Sequence, residues 1–474
     1  MIRSSRVYSS LLTPIAENSA NNAWNYNGNN GKLNNNNKIN SNSSRPVLEL
    51  PDEIGFDTLE GYSFPLSRFY QMYRITRKNK STKPGFLVFN QNYPEQLRWL
   101  CWASNTGHYD PRTSTAFVIE KPKIRECVAA DAADRVVQTL LVQENLPQLE
   151  KYEHPNSYSC RKGKGCLAAI ERLHQLSIEM GNNGKTPFWV CEIDFKNHFM
   201  NIDIVYHLRR FKKFIEDTYP GTPEQKKILK YLSDRIYLHR AQFDCKRISE
   251  RRKFLKVPFG KSLQDCAPYM GIPIGNVTSQ TLSNWLTTPY LFAVESLGIA
   301  FVFYTDDTFM FAFSKEVLLK GVEYLRKYAW EECKTIIHPN KFYLQEGRKG
   351  FGGLGVRIRG KNITPSKRIV HNFQNCIKFM LKIAKGGGSK LFEYRDYFRD
   401  RLNSYLSLMG HFNSYRIRKR GVDEIRKSIW MQIFSFPSNL KKVMIRFESS
   451  LKKYYLCMNK MRRKNSQQLK YALI

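Results

Sequence analysis

The sequence predicts a mixed α+β chain, and three observations carry that prediction. A short apolar strand, Phe188 to Ile193, runs directly into an acid at Asp194. An apolar hairpin over 298 to 313 turns on an adjacent acidic pair, Asp306 and Asp307. Around them lie long stretches with apolar residues at helical spacing, and from Gly360 onward the chain reads as helical and cationic. No internal repeat is visible.

At 474 residues the chain is long enough for two or three folded units of about 100–200 residues each. Hydrophobic residues make up 42% and aromatics 13%, ample for buried cores, so wholesale disorder is excluded. Lys and Arg number 76 against 41 Asp and Glu, a formal charge of +35. A surplus on that scale points to a polyanionic partner, above all nucleic acid, because each phosphate neutralised releases condensed counterions. An anionic membrane surface is the plainer alternative. No run of about 18 apolar residues exists, so no bilayer span is expected. Met1 to Leu12 lacks the apolar core of a secretion signal. Ten cysteines are scattered without a CxxC pair. That argues against a disulfide framework or zinc ribbon and fits a reducing, cytoplasmic compartment.

In chain order, residues 18 to 42 hold asparagine at 13 of 25 positions. Such a stretch buries too little to offset the entropy of ordering it, so 1–47 is expected to be a disordered leader. Aromatics at helical spacing (Phe64, Phe69, Tyr70, Tyr73) predict a helix over 64–78, and a second follows over 93–104. A β-type run, Ser114 to Glu120, meets the basic segment Lys121-Pro122-Lys123-Ile124-Arg125. Helices are expected over 130–146 and 168–180, and 222–256 reads as mostly helical and basic. A glycine-punctuated loop, Gly271 to Gln280, enters a helix at Leu282. The C-terminal helical region is broken by glycines 386 to 388.

The chemistry lies in three segments: Cys191-Glu192-Ile193-Asp194-Phe195, the loop Gly271-Ile272-Pro273-Ile274-Gly275, and Tyr304-Thr305-Asp306-Asp307. Adjacent carboxylates in a tight apolar hairpin repel each other and disfavour ionisation unless a cation compensates them. Mg²⁺ takes hard oxygen ligands, usually a few carboxylates plus substrate phosphates. Two such ions activate a hydroxyl and stabilise the leaving pyrophosphate in an in-line displacement. A lone Asp-Asp is weak evidence, since hairpin turns favour Asp for backbone reasons. Three segments in this order are much harder to reach by chance.

The order Asp194, Gly271-Ile-Pro-Ile-Gly…Ser279-Gln280, Tyr304-Thr-Asp-Asp resembles motifs A, B and C of prokaryotic reverse transcriptases. Upstream, Lys121-Pro-Lys-Ile-Arg125 with Asp134-Arg-Val-Val-Gln138, and Ser157-Tyr-Ser-Cys-Arg-Lys-Gly-Lys-Gly165, are similar to fingers segments of that family. Downstream, Gly350-Phe-Gly-Gly-Leu-Gly-Val356 resembles a primer grip, and Asn403-Ser-Tyr-Leu-Ser-Leu-Met-Gly-His411 a thumb helix. The resemblance covers roughly 60 to 435. It implies a right-hand polymerase of fingers (48–185), palm (186–360, with a helical insertion over 213–256) and a helical, basic thumb and tail (361–474), with an antiparallel palm sheet.

The resemblance also implies roles. Asp194, Asp306 and Asp307, with the Phe195 carbonyl, would hold two Mg²⁺, Mn²⁺ being able to substitute. Lys123 and Arg125 would grip the incoming deoxynucleoside triphosphate, and Phe199 would block a 2′-hydroxyl. Ile274, Gly275 and Gln280 would line the nucleotide site, and Lys341 would lie near the leaving pyrophosphate. Arg161, Lys162, Lys164, Tyr304, Gly353, Leu354 and Gly355 would contact template RNA and its cDNA or RNA primer. The plainer account of each cation is a solvated basic surface, and of Phe199 an ordinary core ring.

Most reverse transcriptases carry Gln before the second glycine of motif B. Ile274 with Ser279-Gln280 resembles the diversity-generating retroelement class, whose enzymes copy template adenines with errors. Isoleucine offers volume without hydrogen bonds, so mispairs lose less relative to correct pairs. Asparagine codons are adenine-rich, and residues 17 to 48 resemble a translated template repeat of such elements; a flexible Asn-rich leader is the simpler account. The class implies a bacterial or phage-encoded cytoplasmic enzyme working with a small, basic, helical, oligomeric accessory protein; the segment Lys452-Lys453 to Lys464 is a candidate contact for it or for RNA, the plainer account being a solvated cationic helix face. Alternatives are a phage-defence, retron-like or group II intron-like reverse transcriptase, or a non-catalytic RNA-binding polymerase scaffold.

Overall fold

A computed structural model describes residues 24–26, 33–35, 54–120, 123–386 and 388–445. The candidate contact at 452–464 lies outside them. In the Asn-rich leader, where composition predicts no folded structure, β1 (Trp24–Tyr26) pairs antiparallel with β2 (Leu33–Asn35). The rest of the leader is outside the described residues.

Helices α1 (Phe56–Glu60), α2 (Leu66–Arg77), α3 (Pro84–Phe89) and α4 (Tyr93–Thr106) follow, the second and fourth where helices are expected over 64–78 and 93–104. Strands β3 (Ser114–Ile119) and β4 (Arg125–Ala129) form a hairpin. Asp131 caps α5 (Ala132–Tyr152), its carboxylate accepting from the Ala133 N–H. This helix runs past the expected end at Leu146 and through Pro147. Burial of Leu149 holds the extra turns although the proline removes one hydrogen bond.

Next come α6 (Cys166–Gly181), β5 (Trp189–Phe195), α7 (Ile204–Thr218) and α8 (Pro223–Tyr237), the last opened by a reciprocal Thr222–Gln225 cap. The helical reading of 222–256 fails beyond Tyr237. Only β6 (Cys245–Arg247) and a single turn, α9 (Arg251–Phe254), lie there. The stretch from Leu238 to Lys256 is rich in Lys and Arg and offers no continuous apolar face at helical spacing to bury. Helix α10 (Val277–Ser296) starts earlier than expected and takes Thr278, Ser279 and Gln280 into its first turn.

Strands β7 (Ala300–Tyr304) and β8 (Asp307–Ala312) form the acidic hairpin, followed by α11 (Lys315–Cys333) and β9 (Ile337–Glu346). A meander, β10 (Phe351–Gly353), β11 (Val356–Arg359) and β12 (Asn362–Pro365), leads to α12 (Lys367–Lys385), α13 (Gly388–Met409) and α14 (Tyr415–Arg426). The α12–α13 break falls at the predicted glycines. The C-terminal region is not wholly helical: β13 (Phe434–Ser435) pairs with β14 (Met444–Ile445), because Pro437-Ser438-Asn439 forces a turn.

The chain divides into two compact units. One comprises Met1–His154, Lys196–Thr288 and Cys333–Ile336. Its main core gathers α2, α4, α5, α7, α8 and the first half of α10 around Phe69, Leu100, Leu140, Phe211, Leu232 and Leu286. Its sheet has the order β4-β3-β6, with β3 and β6 parallel.

The other unit comprises Pro155–Phe195, Pro289–Glu332 and Ile337–Ile474. Its sheet, order β7-β8-β5-β9, is antiparallel throughout. The register places Val190, Glu192 and Asp194 opposite Phe311, Phe309 and Asp307, so all six share one face. Towards the β5 start that face is apolar: Val190, Val302, Phe309 and Phe311 pack with Ile170 and Leu173 of α6 and with Phe351 and Val356 of the meander. Its far end is acidic. Helices α12–α14 have their own core around Phe373, Phe398 and Trp430, the Trp430 indole N–H donating to the Met380 carbonyl at 2.7 Å. Among the described residues no helix is long and apolar enough to cross a membrane.

Candidate active site

Tyr304 pairs with Asp307 across a two-residue turn, Thr305–Asp306. Thr305 stands at φ 61°, a left-handed conformation that a β-branched residue adopts only under strain, on the order of 1–3 kcal/mol. Two contacts hold it. The Ser159 and Thr305 hydroxyls hydrogen-bond at 2.9 Å, and the Phe195 N–H donates to the Asp306 carbonyl at 3.2 Å. The segment around Ser157 braces the neighbouring strand, Tyr158 N–H donating to the Phe303 carbonyl at 3.0 Å.

Asp194 therefore faces Asp307 directly across β5 and β8. The Lys341 ammonium, on β9, makes an ion pair with Asp194 Oδ2. Asp194 Oδ1 is buried without a hydrogen-bond partner, which is expensive unless a cation supplies what protein donors do not. Glu192, one pleat back on the same face, is pushed up to about 7 by burial, with the charge of Asp194 adding to the rise and Lys341 opposing it. Among the described residues no three His, Cys, Asp or Glu side chains close into a metal cluster. The donor set that is present, facing carboxylates with one orphaned buried oxygen, suits a hard divalent cation.

The meander contributes a second turn. Gly353 pairs with Val356, and Leu354 and Gly355 between them stand at φ 49° and 86°. Positive φ at both positions is the two-residue turn that matches strand twist. A Cβ on Gly353 would lie 2.5 Å from the Phe309 ring, so this turn packs onto β8 near Asp307. In the segment before α6, Arg161 donates to the Ser157 carbonyl at 3.3 Å. Lys164 donates to the Pro155 carbonyl and lies 4.8 Å over the Tyr158 ring, while Lys162 is exposed.

Asp194, Phe195, Tyr304, Asp306, Asp307 and Lys341 are thus gathered at one end of one sheet. Arg161, Lys162, Lys164 and the Gly353-Leu354-Gly355 turn belong to the same unit, whereas the other predicted nucleotide-site residues belong to the other one. Lys123 and Arg125 are exposed at the start of β4. Phe199 and Ile274, both half-buried, pack on one small cluster with Ala116, Val128 and Met200. The Ile274 carbonyl accepts from Val128 N–H at 3.1 Å and the Phe199 carbonyl from Ile272 N–H at 2.9 Å. Gly275, at φ 121°, and Gln280 are exposed. Sequence reasoning missed Asn276, whose buried side-chain oxygen accepts from Ala130 N–H at 3.0 Å and ties this loop to β4. It also missed Glu192 and Ser159; strand alternation from Asp194 would have found Glu192, and nothing local marks Ser159.

Residues 119–358 match the family model described as reverse transcriptase (RNA-dependent DNA polymerase). No curated protein matches the chain. Among solved structures, apo telomerase from Candida tropicalis is similar at 12% identity and TM-score 0.41, over 67% of this chain and 56% of that one. Telomerase from Candida albicans, in complex with a fragment of telomeric RNA, is similar at 9% identity and TM-score 0.38, over 66% and 59%. This chain therefore spans less than two thirds of the length of those telomerase chains.

Proposed function

The chain belongs to the reverse transcriptase (RNA-dependent DNA polymerase) family, and from that premise we propose that it copies an RNA template into DNA. The observation that carries this reading is the facing pair Asp194 and Asp307, with an orphaned oxygen on Asp194 and Asp306 in the clamped turn beside it. Asp194, Asp306, Asp307 and the Phe195 carbonyl would hold two Mg²⁺, or Mn²⁺ in their place. Bound there, such ions lower the pKa of a primer 3′-hydroxyl and offset the charge of the leaving pyrophosphate.

The other roles belong to the chain's own side chains. Lys341, on the carboxylate face, neutralises Asp194 and offers a positive charge to the pyrophosphate. Lys123 and Arg125 grip the triphosphate; Arg suits its oxygens bidentately. Phe199 sets the wall that a ribose 2′-hydroxyl would strike, beside Ile274, Gly275 and Gln280. Tyr304 and the Gly353-Leu354-Gly355 turn position the primer end, and Arg161, Lys162 and Lys164 the template. In this reading 48–185 acts as fingers, 186–360 as palm and 361–474 as thumb.

The finer reading is an error-prone enzyme of a diversity-generating retroelement, bacterial or phage-encoded and cytoplasmic, with residues 17–48 translated from a template repeat. Ile274 supports it: an aliphatic side chain on the small cluster under the loop brings no hydrogen bond to the nascent base pair. A small basic helical accessory protein completes that assembly.

Asp306→Asn tests the core of the proposal. Mg²⁺-dependent deoxynucleotide incorporation on an RNA template should be abolished while RNA binding stays, because carboxylates hold metal and dispersed cations hold phosphate. Primer extension at near wild-type rate by this variant would refute the two-metal assignment.

A further inference from the structure

We propose that residues 240–269 of the first unit form a platform for single-stranded RNA, distinct from every residue assigned above to catalysis, nucleotide or primer–template. Between Arg240 and Lys261 the sequence holds eight Lys and Arg against two acids. The segment is ordered rather than loose. Strand β6 pairs with β3, Ile248 N–H donates to the Ala116 carbonyl at 3.0 Å, and Val118 N–H donates to the Ser249 hydroxyl at 3.0 Å.

Its apolar residues divide sharply. Phe254 packs inward on the cluster around Met200 and Leu263. Phe243, Leu255 and Phe259 stand 69%, 76% and 90% exposed. Rings this exposed add little to the buried core, and their area is available to a ligand. The Arg240 guanidinium lies 4.5 Å over the Phe243 ring and 5.9 Å from Tyr269, and its buried Nε has no hydrogen-bond partner. Lys253 and Lys256 are paired with Glu120, whereas Lys246, Arg251 and Lys261 are exposed and form no ion pair among the described residues.

Charge alone would suit any polyanion; the exposed rings select among them. Single strands offer phosphates to cations and bare base faces to aromatics, and each stacked base strengthens binding. A duplex hides those faces. The segment is not an amphipathic helix of the kind that lies in a membrane surface: α9 is one turn and the rest is strand and loop. The choice of RNA over DNA rests on the family reading; the platform itself does not require polymerisation.

The test uses the full chain, with its primer–template sites first saturated by a short RNA–DNA hybrid. Binding of a labelled, unstructured, adenine-rich RNA of about 16 nucleotides, the upper end of a single-strand site, is then read by fluorescence anisotropy. The double variant Phe243→Ala/Phe259→Ala should bind this RNA about tenfold or more weakly, because two stacking rings are gone. Extension of the short hybrid and the melting temperature should be unchanged, and Phe243→Tyr/Phe259→Tyr should bind like wild type. Lys246→Ala/Arg251→Ala/Lys261→Ala should flatten the salt dependence of log K by about 0.7 for each phosphate no longer neutralised. Three results overturn the proposal: wild-type RNA affinity in the double alanine variant, a parallel loss of hybrid extension, or, with phosphatidylserine vesicles assayed alongside, a loss of vesicle binding while RNA binding is unchanged. Equal weakening for a DNA strand of the same sequence would keep the platform and overturn its preference for RNA. If Asp306→Asn leaves polymerase activity intact while the platform variants lose RNA, the family mechanism fails and the platform stands.

Discussion

Two neighbouring glycines should respond oppositely to the same substitution. Gly353 and Gly352 are consecutive residues of β10, and neither has positive φ. A methyl group on Gly353 would meet Phe309 ring atoms at 2.5 and 2.7 Å, inside any real contact distance. Phe309 cannot simply move aside: it is 0% exposed and locked among Val190, Val302 and Phe311. Overpacking of this kind costs about 1–3 kcal/mol. On Gly352 the nearest atom is the Val356 carbonyl oxygen at 3.7 Å, an ordinary contact. There alanine restricts only the unfolded chain and adds about 0.4–1 kcal/mol of stability. Gly353→Ala should therefore melt lower by about 2–4 °C per kcal/mol, and Gly352→Ala slightly higher than wild type. Because Phe309 lies two residues from Asp307 on the same face, Gly353→Ala should also slow primer extension, and Gly352→Ala should not. Melting curves and extension rates of both variants decide the matter. A Gly353→Ala protein as stable as Gly352→Ala would refute the packing of the meander turn on β8.

Ile274→Gln should lower misincorporation opposite template adenine several-fold, since a well-placed polar side chain supplies on the order of 1 kcal/mol; single-nucleotide extension opposite each base measures it, and an unchanged adenine error in an active variant would clear Ile274. Burial holds His198 down to about 3 and His207 to about 4, both from 6.5. Both histidines stay neutral in the native state, so the unfolded chain binds more protons below pH 6.5, and stability present above that pH is lost as it falls towards 4. His207 alone accounts for about 3 kcal/mol of that loss. Urea unfolding at pH 7 and pH 4.5 should show His207→Gln losing less than wild type, and parallel losses would refute it.

The sequence made the acidic turn legible because it is local: an apolar hairpin with two acids at its tip can hardly be read otherwise. Asp194 was legible for the same reason, since an apolar strand ending in an acid needs no distant information. What brings Asp194 opposite Asp307, and Lys341 beside it, is strand register across more than a hundred residues, and that follows from pairing rather than pattern. The helix boundaries failed where tertiary burial overrode local signals, as when Leu149 carried α5 through Pro147. The stretch after Tyr237 failed for the opposite reason, because charged residues with good helical propensity had no apolar face to bury. Ser159 and Asn276 were invisible, their roles resting on single hydrogen bonds to distant turns.

The carboxylate face is crowded at one end. Glu192, Asp194 and Asp307 share that face near its acidic end, and the Lys341 cation is paired with only one of them. Burial pushes Glu192 up to about 7, with the charge of Asp194 adding to the rise, and one Asp194 oxygen is buried without a donor. Apolar packing from α6 and the meander holds the strands in register from below, so repulsion above cannot relax by splaying them. The turn cannot relax either, because the Ser159 hydroxyl and the Phe195 N–H pin Thr305 and Asp306 from two sides. A site proposed to recruit divalent cations would gain from this arrangement. Repulsion confined by a rigid sheet becomes binding energy for whatever positive charge arrives, whereas a softer hairpin would dissipate it by moving the carboxylates apart.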